Sequence, residues 1–335
     1  MLGYAGKTFL KSVVSFQVKK MENNSNLDHA ITWEKYCNIT GKEDGHHVHV
    51  TSVLSAVICA LVFLLGPPVN GFVLWIKVFK MEKKYRTILY LHLFFAGFIF
   101  SLFQFLDMVY FALDVHWPFG SFMCRLNNAI FYLYMFVSAS ILTLFSIDYC
   151  IVVLLPIRYN FYRTTSLASI EVLVIWIFSL GASVPYFIFK NTYECQKSSK
   201  CLYGVLHDEK VQYQSIVTTA FVLGILIPFL IIISCIIFTG LFYHRKNSSR
   251  YTTNLKLIFS IQICFFLSWI PHHIFSFLSS SMTGESLPNS FIDQGLILTM
   301  ALALLTACIN PLMYAFICPD FKKVFSIRSL FAKIH

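Results

Sequence analysis

The chain has 335 residues, of which 57% are hydrophobic and only 13% are charged, and its formal net charge is +10. Soluble domains have about 45–50% apolar and about 25% charged residues, so a soluble globule could not cover this much apolar surface. A disordered chain is excluded as well, because disorder needs low hydrophobicity and high charge. The composition therefore predicts an integral membrane protein.

The N-terminal segment, residues 1–50, is predicted to be an extracellular tail. It has N-glycosylation sequons at Asn23 and Asn38, which suit a segment outside the cell. It has no long apolar run of the kind found in signal peptides, so we expect the first spanning helix to act as the insertion signal. Met21 is a second plausible start, which would make the first 20 residues an extension.

Seven apolar stretches follow, each long enough for the roughly 20 residues that a helix needs to cross a membrane. They cover residues 51–79, 87–113, 122–155, 167–189, 214–243, 254–279 and 288–317. The first is expected to break at Gly66-Pro67-Pro68, since proline removes helical hydrogen bonds. The sequence thus predicts an all-α membrane protein with a seven-transmembrane helix bundle over residues 51–317.

The distribution of positive charge predicts the orientation of this bundle. More than half of the lysines and arginines fall in the short segments after the first, third, fifth and seventh stretches, and the cluster from Lys77 to Arg86 is the densest. Such segments face the cytoplasm. We therefore expect a multi-pass plasma-membrane protein with its N-terminus outside and its C-terminus inside. The basic residues form no single folded face, so binding of nucleic acid is not expected.

Residues 318–335 are predicted to form a short amphipathic helix on the cytoplasmic face of the membrane. Pro319 and Asp320 can begin it. Apolar residues at helical spacing, with lysines around them, suit a helix that lies on anionic membrane lipids; the apolar positions are Phe321, Val324, Phe325 and Phe331. The alternative is a frayed basic tail.

Signatures of enzymes are missing from the sequence. It has no glycine-rich phosphate loop, no HExxH and no Cys-x-x-Cys pair. The acids in or near the spans, Asp107, Asp148 and Glu171, are too dispersed for a paired-carboxylate site. His272 and His273 are adjacent, so their rings point about 100° apart on a helix and do not suggest a metal site. We expect neither catalysis nor a metal or cofactor.

Polar residues within spans are costly and usually functional. In chain order the notable ones are Asn70, Cys124, Asp148-Tyr149, Trp176, Pro185, Pro228, Trp269-Ile270-Pro271 and Asn310-Pro311-Leu312-Met313-Tyr314. Their joint order resembles the rhodopsin-like G-protein-coupled receptors. The run from His116 to Gly120, His-Trp-Pro-Phe-Gly, is similar to the chemoattractant group, which includes formyl-peptide, chemerin and anaphylatoxin receptors.

The resemblance implies an extracellular ligand, which would be a peptide, a lipid or a small acid, and a heterotrimeric G protein or arrestin as the partner inside. The implied ligand contacts are Asp107, Asn128, Tyr132, Met135, Trp269, His272, His273 and Gln294. The implied activation switch consists of Asp148, Tyr149, Trp269, Pro271, Asn310, Pro311 and Tyr314.

The resemblance also implies a disulfide between Cys124 and the second outer loop. That loop offers Cys195 and Cys201, and Cys201 has the spacing that suits the group. Cys195 would then pair with Cys37 or stay free. For Asp107 two interpretations are open: it attracts a cationic group of a peptide, or it is a helix-end acid paired with water or Arg125.

Three departures from the family pattern bear on mechanism. Gly97 stands where the family usually has an aspartate, so a sodium site is not expected. Tyr149 replaces the arginine that contacts the G protein, and Ile236 replaces its tyrosine partner. Asp148 thereby lacks its adjacent cation, although Arg158 or Arg163 could approach it. These losses leave an atypical receptor with weak G-protein coupling as an alternative, with a small transporter or channel as a remote one.

The outer half of the fifth stretch departs from the group as well. Some chemoattractant receptors have an arginine there that binds a ligand carboxylate, whereas this chain has Ile216 and Ala220. We therefore expect no anion-binding residue on that wall of the cavity.

Overall fold

Helices account for nearly all of the chain that the computed structural model describes, namely residues 45–155, 163–195, 198–203, 207–242, 249–281 and 290–318. The continuous helices are α1 (Gly45–Phe79), α2 (Tyr85–Ala112), α3 (Gly120–Leu154), α4 (Thr165–Phe189) and α6 (Ser249–Ser281). Helix α5 comprises His207–Phe221, a π-helical turn over Val222–Leu226, and Ile227–Phe242, while α7 comprises Ser290–Leu304 and Thr306–Ile317.

All seven helices are long and apolar enough to cross a membrane, which confirms the predicted seven-helix membrane fold. Helix α3 lies at the centre and buries most of its side chains, from Asn127 to Cys150. Helix α4 instead exposes a row of large apolar side chains, including Ile170, Leu173 and Ile177. In a membrane protein such a row faces lipid, because lipid tails are as apolar as these side chains.

The predicted break in α1 is wrong, because the helix continues through Pro67 and Pro68. Neighbouring groups can compensate for lost backbone hydrogen bonds within a membrane bundle. Gly66 has a packing role here, since a Cβ atom on it would lie 2.2 Å from Ser101 Oγ of α2. Small residues of this kind allow helix backbones to approach closely.

Two irregularities within helices escaped prediction from the sequence. The π-helical turn of α5 presents Gly224 to α3, where an added Cβ would lie 2.5 Å from Met135 Cε. Helix α7 is interrupted at Leu305, whose N–H donates to Leu302 O at 3.2 Å. Such turns frequently mark functional positions in long helices.

An antiparallel hairpin of β1 (Lys190–Cys195) and β2 (Ser198–Tyr203) covers one end of the bundle, called here the hairpin end. The disulfide between Cys124 and Cys201 ties it to α3, which confirms the predicted pair. The segment before α3 also binds it: Trp117 N donates to Ser199 O at 2.7 Å, and Ser199 N donates to His116 Nδ1 at 3.0 Å.

Several predictions lie outside the described residues. They concern the tail with Asn23, Asn38 and Cys37, and the interfacial helix after Cys318. The side chain of Cys195 is also outside the described part, so its pairing stays a prediction.

Candidate functional site

Asn128 of α3 joins three elements at the hairpin end. Its Nδ2 donates to the main-chain oxygen of Tyr186 in α4 at 2.8 Å and to Tyr203 Oη of β2 at 2.6 Å. Its Oδ1 accepts a hydrogen bond from Lys190 Nζ at 3.2 Å. Asn128, predicted as a ligand contact, therefore positions the hairpin over the space between the helices.

Lys190, the first residue of β1, is a site residue that the sequence did not single out. Its Nζ lies 5.4 Å from the centre of the Tyr203 ring, within the range of a cation–π contact. Burial lowers the pKa of Lys190 to about 8, although the nearby Asp107 carboxylate opposes that shift. Its ammonium forms no ion pair within 4.0 Å among the described residues. The Lys190 ammonium is thus a charged group at the hairpin end that can donate further hydrogen bonds.

Asp107 of α2 is buried and accepts a hydrogen bond from Asn127 Nδ2 at 2.8 Å. No ion pair with Arg125 is present in the described part of the chain. The hydrogen bond from Asn127 replaces that predicted partner. Asp107 and Lys190 thus place a negative and a positive group near each other at this end of the bundle.

Aromatic rings form the deeper part of the site, between α3, α4 and α6. Tyr132 stacks on Tyr186, with ring centres 3.6 Å apart. Phe131 lies 4.9 Å from Trp269 and 5.3 Å from His272, between ring centres. The structure therefore brings predicted residues of α3 and α6 together through Phe131, which the sequence had not marked.

Two further predicted residues meet next to this group. His273 Nε2 of α6 lies 3.4 Å from Met135 Sδ of α3. Gln294, also predicted as a ligand contact, is half-buried in α7. Within the described residues, Trp269 Nε1 and both ring nitrogens of His272 are buried without a hydrogen-bond partner from the chain. Such groups can bind a polar atom of a ligand, because buried donors and acceptors normally have partners.

The far end of the bundle, opposite the hairpin, has an ionic cluster around Asp148 of α3. Arg163, just before α4, donates two hydrogen bonds to its carboxylate. Arg86 of α2 adds a third, from Nε to Oδ2 at 2.8 Å. Of the two cations predicted for Asp148, Arg163 is confirmed, whereas Arg158 lies outside the described residues. From the sequence alone, Arg86 is one of the basic residues of a cytoplasmic segment.

Arg86 also contacts Tyr149, the residue that replaces the family's arginine. Its Nη1 donates to Tyr149 Oη at 2.6 Å, and its Cζ lies 3.6 Å from the centre of the Tyr149 ring. Tyr149 and Ile236 both line one small cleft between α3, α5 and α6. A guanidinium is therefore present beside Asp148, but it comes from α2 instead of α3.

Asn70 of α1 accounts for two features of the middle of the bundle. Its Nδ2 donates to Ala307 O at 2.8 Å, the carbonyl that Pro311 leaves without a helical donor. Its Oδ1 lies 2.9 Å from the position that a Cβ atom on Gly97 would take. The Asn70 side chain therefore lies where a side chain at position 97 would begin.

The predicted switch residues Asn310 and Tyr314 of α7 follow this contact along the helix and pack against α3 and α2. Asn310 Nδ2 donates weakly to Tyr134 Oη at 3.4 Å, and Tyr134 Oη donates to Thr306 Oγ1 at 3.3 Å. The ring of Tyr314 packs against α2, 4.7 Å from the Tyr90 ring and 5.3 Å from the Phe94 ring between centres.

Comparison with known proteins agrees with this arrangement. Residues 69–314 match the family described as 7 transmembrane receptor (rhodopsin family). The chain is 32% identical to Chemerin-like receptor 1 of Homo sapiens over 290 residues, which are 82% of this chain and 77% of that receptor. It is 31% identical to Chemerin-like receptor 2 of Mus musculus, over 91% of this chain and 86% of that receptor.

A relative from a third group covers nearly the whole chain. The C3a anaphylatoxin chemotactic receptor of Danio rerio is 31% identical over 99% of this chain and 91% of that receptor. The chain therefore belongs to the rhodopsin family of seven-transmembrane receptors, plasma-membrane proteins that bind extracellular ligands and couple to G proteins, and within it to the chemoattractant-receptor group.

Proposed function

We propose that this protein is a receptor for an extracellular peptide with an anionic group, most simply a free C-terminal carboxylate. The hairpin end faces the outside, as the positive charges of the opposite segments and the disulfide both favour. The ligand enters between the hairpin, α3 and α6, and its binding shifts the helix positions at the far end.

Lys190 carries this proposal. At neutral pH its ammonium is mostly protonated, and its contacts in the site are a neutral amide, Asn128, and an aromatic face, Tyr203. A charge-assisted hydrogen bond from the ammonium to a carboxylate is stronger than either of these contacts. The absence of an arginine at Ile216 and Ala220 therefore does not remove anion binding from this site, since the cation comes from the end of α4.

The remaining polar groups suit a peptide better than a simple fatty acid. Asp107 offers a negative charge beside Lys190, and Trp269 and His272 offer unpartnered nitrogens deeper in the bundle. A peptide can satisfy such groups at several depths, whereas a lipid chain has only one polar end. The names of the relatives, chemerin-like and C3a receptors, indicate protein ligands and supply the first probes.

The test uses C-terminal peptides of chemerin and of C3a, each as the free acid and as the C-terminal amide. We expect the free acids to bind at least tenfold more tightly than the amides to cells expressing the receptor. Lys190→Met should remove this difference, and Lys190→Arg should keep it, because the guanidinium also binds carboxylate. Equal binding of acid and amide to the unchanged receptor would contradict the proposal.

A second candidate function is an atypical receptor that binds its ligand with weak G-protein coupling. The observation that favours it is the position of Arg86, whose guanidinium is held by Asp148 and Tyr149 and is not offered from α3. Such a receptor would recruit arrestin on peptide binding with little G-protein dissociation.

A further inference from the structure

Lys77, in the last turn of α1, is a buried cation at the far end of the bundle. Only 2% of the surface of Lys77 is exposed, although the sequence pattern places this lysine among the charges of a cytoplasmic loop. Its Nζ lies 4.5 Å from the centre of the Tyr90 ring and 4.3 Å from the centre of the Tyr314 ring. Tyr314 Oη also contacts Met81 Sδ at 3.8 Å. Two helices, α2 and α7, thus present aromatic faces to an ammonium of the third.

Burial strengthens the contacts between the Lys77 ammonium and these two rings. A charged group within a membrane bundle is expensive unless it has partners. Aromatic faces attract an ammonium more strongly where water is excluded. If Tyr314 moved away from α1, the ammonium would lose one of these faces while staying inside the bundle. The ammonium therefore favours the arrangement in which the end of α7 lies against α1 and α2.

We propose that Lys77 is a positioning residue that acts as a latch on Tyr314. It holds the far end of α7 in the position seen here and opposes the movement that signalling requires; this second part rests on the proposed function, in which Tyr314 belongs to the switch. The latch differs from the Arg86–Asp148–Arg163 cluster, because it links α7 to α1 and α2, whereas that cluster links α3 to α2 and α4.

The decisive experiment measures the position of α7 directly, without a ligand or a transducer. Nitroxide labels on unnatural amino acids are placed at Phe79 and Phe316, which are 70% and 72% exposed and end α1 and α7. Electron–electron distance measurements in lipid nanodiscs then compare the unchanged receptor with Lys77→Met and Lys77→Arg. Methionine keeps the length of the side chain and removes the charge, while arginine keeps a cation.

We expect one distance population in the unchanged receptor and in Lys77→Arg. In Lys77→Met, a second population should rise roughly tenfold or more, which is the effect of losing a desolvated cation–π contact. Lys80→Met, which alters a neighbouring exposed lysine, is the matched control and should show one population. Identical distributions for all variants would overturn the latch; if Lys77→Met fails to fold, Lys77→Gln serves the same comparison.

Ligand-free G-protein dissociation and arrestin recruitment form the second arm, at matched surface expression. An increase in Lys77→Met along with the second distance population supports both the latch and the proposed function. A second population without any increase supports the latch and counts against Tyr314 as a signalling switch. A residue with only a structural role would lower surface expression and leave the distances of the folded fraction unchanged.

Discussion

The ionic cluster at the far end of the bundle predicts a non-additive effect of two arginine replacements. Asp148 has a side chain that is 3% exposed, and its two cations, Arg86 and Arg163, are 21% and 20% exposed. Replacing either arginine by glutamine leaves the carboxylate with the other one. Replacing both leaves a buried negative charge without a cation.

The energies follow from the number of remaining partners. Each single replacement should cost only about 1 kcal/mol, because the carboxylate keeps the hydrogen bonds of the other arginine and is not left without a donor. The double replacement should cost about 3–5 kcal/mol, the cost of leaving a buried charge unpaired. The coupling between the two sites is therefore about 1–3 kcal/mol, in the range found for residues in one network.

Thermal unfolding of the purified receptor in one detergent, together with surface expression, compares the stability losses of the single and double variants. The melting temperature of the double variant should fall by clearly more than the sum of the two single decreases. Adding Asp148→Asn to the double variant should restore much of the loss, because the amide removes the uncompensated charge. A double shift equal to the sum of the singles would refute the reasoning, since it would mean that Asp148 is solvated and not held by the cluster.

Other predictions concern the switch, sodium and pH. Tyr149→Arg alone should add little agonist-driven G-protein signal, because Arg86 already lies against residue 149 and would repel a second guanidinium there. Tyr149→Arg combined with Arg86→Gln should raise the signal, while Arg163 still neutralises Asp148. A full gain from the single variant would show that Arg86 does not block the site. Sodium should leave agonist affinity unchanged against potassium and choline controls, because Asn70 fills the space beside Gly97; a sodium-specific shift would contradict this. Binding of a free-acid peptide should weaken as the pH rises from about 7 to about 9, because Lys190, with a pKa of about 8, loses its proton over that range. The Lys190→Arg variant should bind the peptide equally over the same range. The same pH profile for both proteins would assign the effect to another group.

The seven helices could be predicted from the sequence because a membrane span needs only length and apolar composition. The disulfide partner came from the family resemblance, and the structure confirms it. The π-helical turn of α5 could not be predicted, since its residues are as apolar as those on either side. The continuity of α1 through Pro67 and Pro68 was missed because tertiary packing overrides the local preference of proline.

The important cations were missed for one shared reason. In the sequence pattern Arg86 and Lys77 belong to a cytoplasmic cluster of charges, and Lys190 is not singled out. Each is defined by partners on other helices: Asp148 and Tyr149, Tyr90 and Tyr314, and Asn128. Spacing along the sequence shows which face of a helix a residue occupies, but not which helix lies opposite.

One measurement tests the central claim, that an anionic peptide bound at the hairpin end is sensed at the far end. Cells with matched surface expression of the receptor or of Lys190→Met receive the free-acid peptides of chemerin and C3a, and G-protein dissociation and arrestin recruitment are recorded in the same cells. We predict a dose-dependent response of at least one transducer in the unchanged receptor, shifted at least tenfold to higher concentration in Lys190→Met. Peptide binding without a response of either transducer, or an equal response in Lys190→Met, would contradict the account.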